Sequence, residues 1–269
     1  MKLKVLVDNN TFIDEYYLGE PAVSYYIEDG DTKILFDTGY SDVFIKNAES
    51  MNIDLKGIHK VIISHGHNDH TGGFEYLIKN IENKDIEIIA HPNCFDKKYV
   101  EDNYIGTPIT KEILEDHYRL GLYTKPVKVS ENIMFLGEIP SINDFEDRNI
   151  IGCYEESGKM INDYVRDDSA IVYKSSKGLF IITGCSHSGI CNIIEYAKRV
   201  CNEEKVYGVI GGFHLFECGN KLEKTIKYFK ENELKEIYPC HCVSLNAKIM
   251  MGKELEIKEV GVGLELDID

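Results

Sequence analysis

No run of apolar residues in this 269-residue chain approaches the ~20 that a transmembrane helix needs. The opening MKLKVLVDNN carries two lysines but meets Asp8 after a short apolar stretch, so no signal peptide is expected and the expected location is the cytoplasm. Cationic charge is scarce. Against 46 Asp+Glu stand 30 Lys+Arg, a formal net charge of -16, which repels nucleic-acid phosphate and anionic membranes. That field does not exclude a small phosphorylated ligand, because a buried metal or local cation outweighs distant charge. The eight cysteines include no CxxC pair and are scattered, so in a cytoplasmic chain they are expected to be reduced. Neither GxGxxG after a strand nor GxxxxGK[ST] occurs, which removes both nucleotide fingerprints. GCSHSG is not a nucleophile elbow, since Ser186 has Gly184 two before it but Ser188 two after. Tryptophan is absent. The 17 tyrosines suit either a pocket for a flat ring or ordinary core packing.

What is present reads as a soluble globular protein, with 43% hydrophobic and 28% charged residues and length enough for a substantial core. Short apolar segments at 2–7, 22–28, 32–36, 60–64, 85–90, 169–174, 178–183, 205–210 and 235–239 predict strands. Helical spacing appears at 41–50, 72–82, 110–120, 189–201, 220–232 and 243–251. The alternation predicts a layered α/β protein with sheets covered by helices. The chain also repeats itself. TKILFDTGYSD (32–42) parallels KGLFIITGCSH (177–187), and about 26 residues after each Gly a strand ends in ISHGHNDH or IGGFH. A further step of similar length reaches EIIAHP or EIYPCHC. The stretch at about 103–168 has no counterpart and reads as an inserted loop and helix region, a lid, within one domain spanning 1–269. No Ser/Gly-rich linker divides the chain.

Three of the nine histidines fall within six residues, as HGHNDH (65–70), at the carboxyl end of an apolar strand. Side chains at i and i+2 of an extended segment point the same way, so His65 and His67 can clasp one ion. The following turn can aim Asp69 and His70 at a second. Imidazole and carboxylate suit zinc, iron or manganese. Gly72 and Gly73 give the backbone room to turn into the next helix. His59 and His117 have no motif around them.

With HGHNDH after a strand, LFDTG (35–39) upstream and IYPCHC (237–242) near the end, the chain resembles the metallo-β-lactamase-fold hydrolases. The resemblance implies an αββα sandwich of two similar halves, in agreement with the repeat. It makes Asp37 a buttress behind the metal site and His241 a ligand. The fuller set SHGHNDHTGG, AHP, GEIP, TGCSH, GGFH and PCHC resembles a narrower group, the 7,8-dihydropterin-6-yl-methyl-4-(β-D-ribofuranosyl)aminobenzene 5′-phosphate synthases. Many of that group carry Arg after the Pro of GEIP. Here Ser141 stands there, so a phosphate would have to be held otherwise.

Metallo-β-lactamase folds add a third His to the first metal and a bridging Asp in a TGD motif. In TGCSH the place of that Asp is taken by Cys185, either a thiolate ligand or a thiol packed behind the site. His187, two residues on, supplies the missing imidazole, with Asp168 of RDDS a competitor for the role. His214 in GGFH and His91 in AHP follow strands and can contact substrate, move a proton or support a ligand. Cys240 and Cys242 flank His241 and, on an extended strand, would point away and pack. The resemblance thus implies two divalent ions, zinc first and iron or manganese also suited. His65, His67 and His187 hold one; Asp69, His70 and His241 hold the other. Asp69 and His214 handle the proton, and the substrate is a small anionic molecule. Two alternatives stand beside the pterin-cofactor synthase. One is a generic metallo-hydrolase of a lactone, thioester or phosphodiester. The other is a metal-stabilised binding protein without catalysis. A flavodi-iron oxygen reductase is disfavoured, because that group has Glu where His67 stands.

Overall fold

The computed structural model describes residues 1–269. Seven strands form one mixed sheet: β1 (Lys2–Val7), β2 (Ser24–Asp29), β3 (Thr32–Phe36), β4 (Lys60–Ile62), β5 (Glu87–Ala90), β8 (Arg119–Leu122) and β17 (Glu265–Asp267). Their order is β17-β1-β2-β3-β4-β5-β8. Six more form a second sheet: β9 (Val127–Lys128), β10 (Ile133–Phe135), β13 (Ala170–Ser175), β14 (Gly178–Thr183), β15 (Val206–Gly211) and β16 (Glu236–Pro239), in the order β16-β15-β14-β13-β10-β9. A small third sheet joins β6 (Lys98–Val100), β7 (Asn103–Tyr104), β11 (Cys153–Glu156) and β12 (Lys159–Asn162). The helices are α1 (Val43–Ser50), α2 (Asn68–Thr71), α3 (Phe74–Asn80), α4 (Lys111–His117), α5 (Ile190–Cys201), α6 (Asn220–Glu231) and α7 (Leu245–Gly252).

Side-chain alternation builds the layers. In β3, Ile34 and Phe36 enter a buried cluster shared with Phe135, Phe180 and Ile182 of the second sheet, while Leu35 packs outward with Phe44 of α1 and Phe74 of α3. In β14, Phe180 and Ile182 face the first sheet, while Leu179 and Ile181 pack against Ile193 of α5 and Phe229 of α6. Both faces of the central strands are therefore covered, which explains why they read as unbroken apolar runs. Each fully buried Leu, Ile or Phe contributes roughly 1.5–3 kcal/mol over its exposed state. The result is a helix–sheet–sheet–helix sandwich.

The repeat is visible in the connections. β2 and β3 pair antiparallel, and β4 and β5 then add parallel. β13 and β14 likewise pair antiparallel, and β15 and β16 then add parallel. Each parallel step crosses over through helix, and the carboxyl ends of the parallel strands in both halves carry the histidine motifs.

The 103–168 stretch differs from the expected inserted loop and helix region. It holds one helix, α4, but its β8 extends the first sheet and its β9 and β10 extend the second. Only β7, β11 and β12, with β6, stand apart as a separate sheet. The strands escaped the sequence reading for a physical reason. β8 to β10 are two to four residues long, and β11 and β12 carry no buried residue, so none displays a hydrophobic period. The predicted helix 72–82 corresponds to α3, and Gly72–Gly73 separate it from the single turn of α2. A Cβ at Gly73 would lie 2.2 Å from the Thr38 carbonyl oxygen, so close backbone approach requires glycine there.

Candidate metal centre

The site begins with Asp37, fully buried just past β3. Its Oδ1 accepts the Ser64 backbone N–H at 2.7 Å, and its Oδ2 accepts the Ser64 hydroxyl at 2.8 Å and pairs with His70 Nδ1 at 2.7 Å. The Ser64 Oγ also lies 3.0 Å from His65 Nδ1. One carboxylate thus orients two histidines of the motif and leaves each Nε2 turned forward. His67 is extended (φ -77°, ψ 151°) and caps α2, whose single turn presents Asp69 and His70. His65 Nε2 and His67 Nδ1 approach to 3.0 Å, as the i, i+2 geometry predicts.

The second half brings the rest. His187 sets its ring 4.8 Å from that of His65 and 5.1 Å from that of His67, and the His214 ring lies 4.4 Å from that of His187, tilted by 51°. His241 lies 5.1 Å from His70, ring to ring, and its Nε2 is 3.3 Å from Asp69 Oδ2. Three overlapping donor groups result, each with ligand atoms within 4.8 Å of one another. They are His65, His67 and Asp69; His65, Cys185 and His187; and Asp69, His70, Cys185 and His241. Cys185 Sγ is 3.2 Å from His70 Nε2 and joins two of the groups. The donors open into a cavity of about 480 Å³. His67, Asp69, Cys185, His187, His214 and His241 line it together with the apolar or aromatic Pro21, Tyr40, Ile105, Ile151 and Phe216. Of the 17 tyrosines, only Tyr40 lines it. The 103–168 stretch contributes Ile105 and Ile151 as wall.

The electrostatics fit a metal. Burial and the neighbouring imidazoles hold His65 and His187 well below the usual histidine range, and burial with nearby Lys98 pulls His67 down to about 4. All three are neutral, as ligands must be. The Nε2 atoms of His67 and His187 are buried with no hydrogen-bond partner, a cost a cation would relieve. Burial also disfavours a charged His70, but Asp69 and Asp37 outweigh it and push its pKa well above the ordinary value. Burial likewise opposes ionised Asp69, yet His70 and His241 hold it well below the carboxylate range. A cation entering beside His70 therefore displaces a proton.

Other sequence-selected residues fall at the edges. Asp168 is buried beside His187; its Oδ2 accepts the Ser188 backbone N–H at 2.9 Å and the Ser188 hydroxyl, and its Oδ1 has no partner. His91 lies outside the cavity lining, with Nδ1 accepting the Asn93 N–H and Nε2 3.8 Å from Glu138. Cys240 packs in the inter-sheet core, as expected. Cys242 does not: it lines the cavity and its Sγ accepts the His214 N–H at 3.3 Å. The expectation assumed an extended strand, but His241 has φ +50°, and the turn rotates its neighbour inward. Asp37 (+56°) and His214 (+49°) share this left-handed region, uncommon for residues other than glycine. Sequence reasoning also missed Asp8 and Asn9. The first accepts the His241 N–H at 3.1 Å, and the second holds His241 Nδ1 at 3.0 Å. Their one signal was a polar pair ending an apolar strand.

A four-layer sandwich with metal-donor loops at the strand ends of both halves is the architecture of the metallo-β-lactamase-fold enzymes. The family model for the metallo-beta-lactamase superfamily matches residues 18–198, and the chain belongs to that superfamily. It is 34% identical to the 7,8-dihydropterin-6-methyl-4-(beta-D-ribofuranosyl)-aminobenzene-5'-phosphate synthase of Methanocaldococcus jannaschii, over 95% of this chain and 92% of the relative. Among solved structures it is similar to Tm1679, described as a metal-dependent hydrolase of the beta-lactamase superfamily. That match has 30% identity and a TM-score of 0.85, covering 100% of this chain and 99% of the other. A diphosphatase of the PhnP family shares the fold at 12% identity and a TM-score of 0.59, with 100% and 98% of the chains covered. The chain is thus an enzyme of a metal-dependent superfamily, with donor clusters that can hold metal. No helix is long and apolar enough to cross a membrane.

Proposed function

We propose that the chain is a dinuclear metalloenzyme acting on a small anionic substrate of the pterin-phosphate kind. The observation that carries the reading is the set of three donor groups that overlap at His65, Asp69 and Cys185 beside one cavity. His65, His67 and His187 hold the first ion. Asp69, His70 and His241 hold the second, with zinc the metal the donors suit first and iron or manganese next. Such ions supply a water of lowered pKa and polarise an electrophile. Asp69 and His214 face the cavity and serve the proton. The cavity volume is in the range of small-molecule sites, and Tyr40 and Phe216 offer apolar faces to a flat ring. The Methanocaldococcus jannaschii relative is named as the synthase of a dihydropterin-bearing aminobenzene ribosyl phosphate, which supports a pterin-related phosphate as the compound this site handles. With a net charge of -16, affinity for an anion depends on the metal pair and local cations. Hydrolysis of an ester or lactone at the same centre is the second reading, favoured by the description of Tm1679.

The test compares metal-loaded and chelator-stripped protein against pterin phosphates, simple phosphate esters, lactones, thioesters and single-stranded RNA. Binding or turnover of a pterin phosphate by the loaded form alone is expected. RNA cleavage without a small-molecule response would overturn the reading. Equal phosphate binding by stripped protein would remove the metals from it.

Cys185 belongs to this proposal as a shared thiolate ligand. Burial pushes its thiol pKa well up, so it stays protonated until a cation takes the proton's place. Cobalt-substituted protein is expected to show a thiolate charge-transfer band that Cys185→Ala abolishes and Cys242→Ala keeps. A band that survives in Cys185→Ala would assign the thiol to packing.

A further inference from the structure

Behind the HGHNDH loop, away from the cavity, lies a buried ion triad that no motif announced. Lys98 Nζ, on β6, donates to Asp163 at 3.0 Å and to Asp167 at 2.7 Å. The three residues are only 2%, 3% and 1% exposed. The other oxygen of Asp167 accepts the backbone N–H of Gly66 at 2.7 Å, across 101 residues of sequence. Gly66 is the residue between His65 and His67.

We infer that Asp167 is a positioning residue that sets the two histidines through the Gly66 N–H, with Lys98 holding its carboxylate in place. The inference rests on the metal centre proposed above. A buried triad is a weak source of net stability, because desolvation offsets most of the attraction. What it supplies here is direction. Asp167 Oδ1 is committed to Lys98 and Oδ2 to Gly66, so the carboxylate cannot rotate without losing both bonds. The loop has no room to retreat: a Cβ on Gly66 would stand 2.1 Å from the Cys94 carbonyl oxygen. Its far end is tied by the Asn68 N–H, donated to the Ile105 carbonyl at 2.8 Å. The adjacent Asp168 does the same service in the other half, accepting the N–H of Ser188 next to His187. Two consecutive carboxylates therefore hold the two loops that carry the first ion's three histidines. Asp163 provides an internal control. It holds Lys98 and the Val165 N–H and makes no hydrogen bond to either histidine loop.

The experiment measures metal affinity by chelator competition in the wild type and in Asp167→Ala, Asp167→Asn and Asp163→Ala. The cobalt d–d spectrum and the thermal midpoint of the metal-free forms are recorded alongside. Asp167→Ala is expected to weaken one of two ions about 10–100-fold and to shift the cobalt spectrum. Asp163→Ala should lower the midpoint comparably while leaving affinity within about twofold. Asp167→Asn, which keeps an acceptor but sets a second donor against Lys98, should fall between and secures the test if Asp167→Ala does not fold. Equal losses of affinity in the Asp163 and Asp167 variants, or none in either Asp167 variant, would overturn the inference while leaving the metal centre standing. A wild-type chain that binds no ion would overturn both.

Discussion

Supplied with a divalent transition metal, the purified chain is expected to hold two ions, and His67→Ala to hold one and lose its activity. His67 has a neutral imidazole whose Nε2 is buried without a partner, so its affinity for a cation is not spent on another contact. In the proposed centre it serves the first ion only, and Asp69, His70, Cys185 and His241 form a donor group without it. The loss of activity should exceed the roughly 10–100-fold typical of residues that only support a ligand. Elemental analysis with a turnover assay checks both parts, and far-ultraviolet circular dichroism should be unchanged, since His67 lies outside the named strands and the inter-sheet core. No metal in the supplemented wild type would defeat this expectation.

Asp37→Ala should be the most damaging single change to the site's framework. It removes an acceptor from three donors at once: the Ser64 backbone N–H, the Ser64 hydroxyl and His70 Nδ1. None of these groups has access to solvent, because Ser64 and His70 are fully buried. Breaking a buried ionic contact by deleting one partner costs about 3–5 kcal/mol. The substitution also places alanine at φ +56°, which an alanine tolerates poorly. Chemical denaturation of the metal-free variant should show a loss of that order, together with reduced metal occupancy. Asp37→Asn retains an acceptor and suits the left-handed region, so its loss should be markedly smaller. Equal midpoints for wild type and Asp37→Ala would show that the buttress carries no weight.

The parts of this site that were legible in the chain are those set by local geometry. His65 and His67 meet because two residues of extended backbone put them on one side, and Asp69 and His70 follow on one turn of helix. The strands that carry the motifs were legible because both their faces are buried and their apolar runs are unbroken. Legibility stopped where a contact depends on a backbone angle or on another part of the chain. Cys242 was expected to pack, and the left-handed turn at His241 brings it to the cavity. Asn9 supports His241 from 232 residues away, and Lys98 reaches Gly66 only through Asp167. The strands of 103–168 were invisible because strands of two to four residues are too short to show a period.

Residue order alone determined the layered α/β class, the pairing of two similar halves and the chemical kind of the donors. Each of these follows from short-range periodicity or from the side chains themselves. Tertiary structure decided which donors meet. Cys185 stands between the two clusters because packing of the two sheets through Phe36, Phe180 and Ile182 sets the strand ends of one half against those of the other. That register is a property of the packed core, and no spacing along the chain records it.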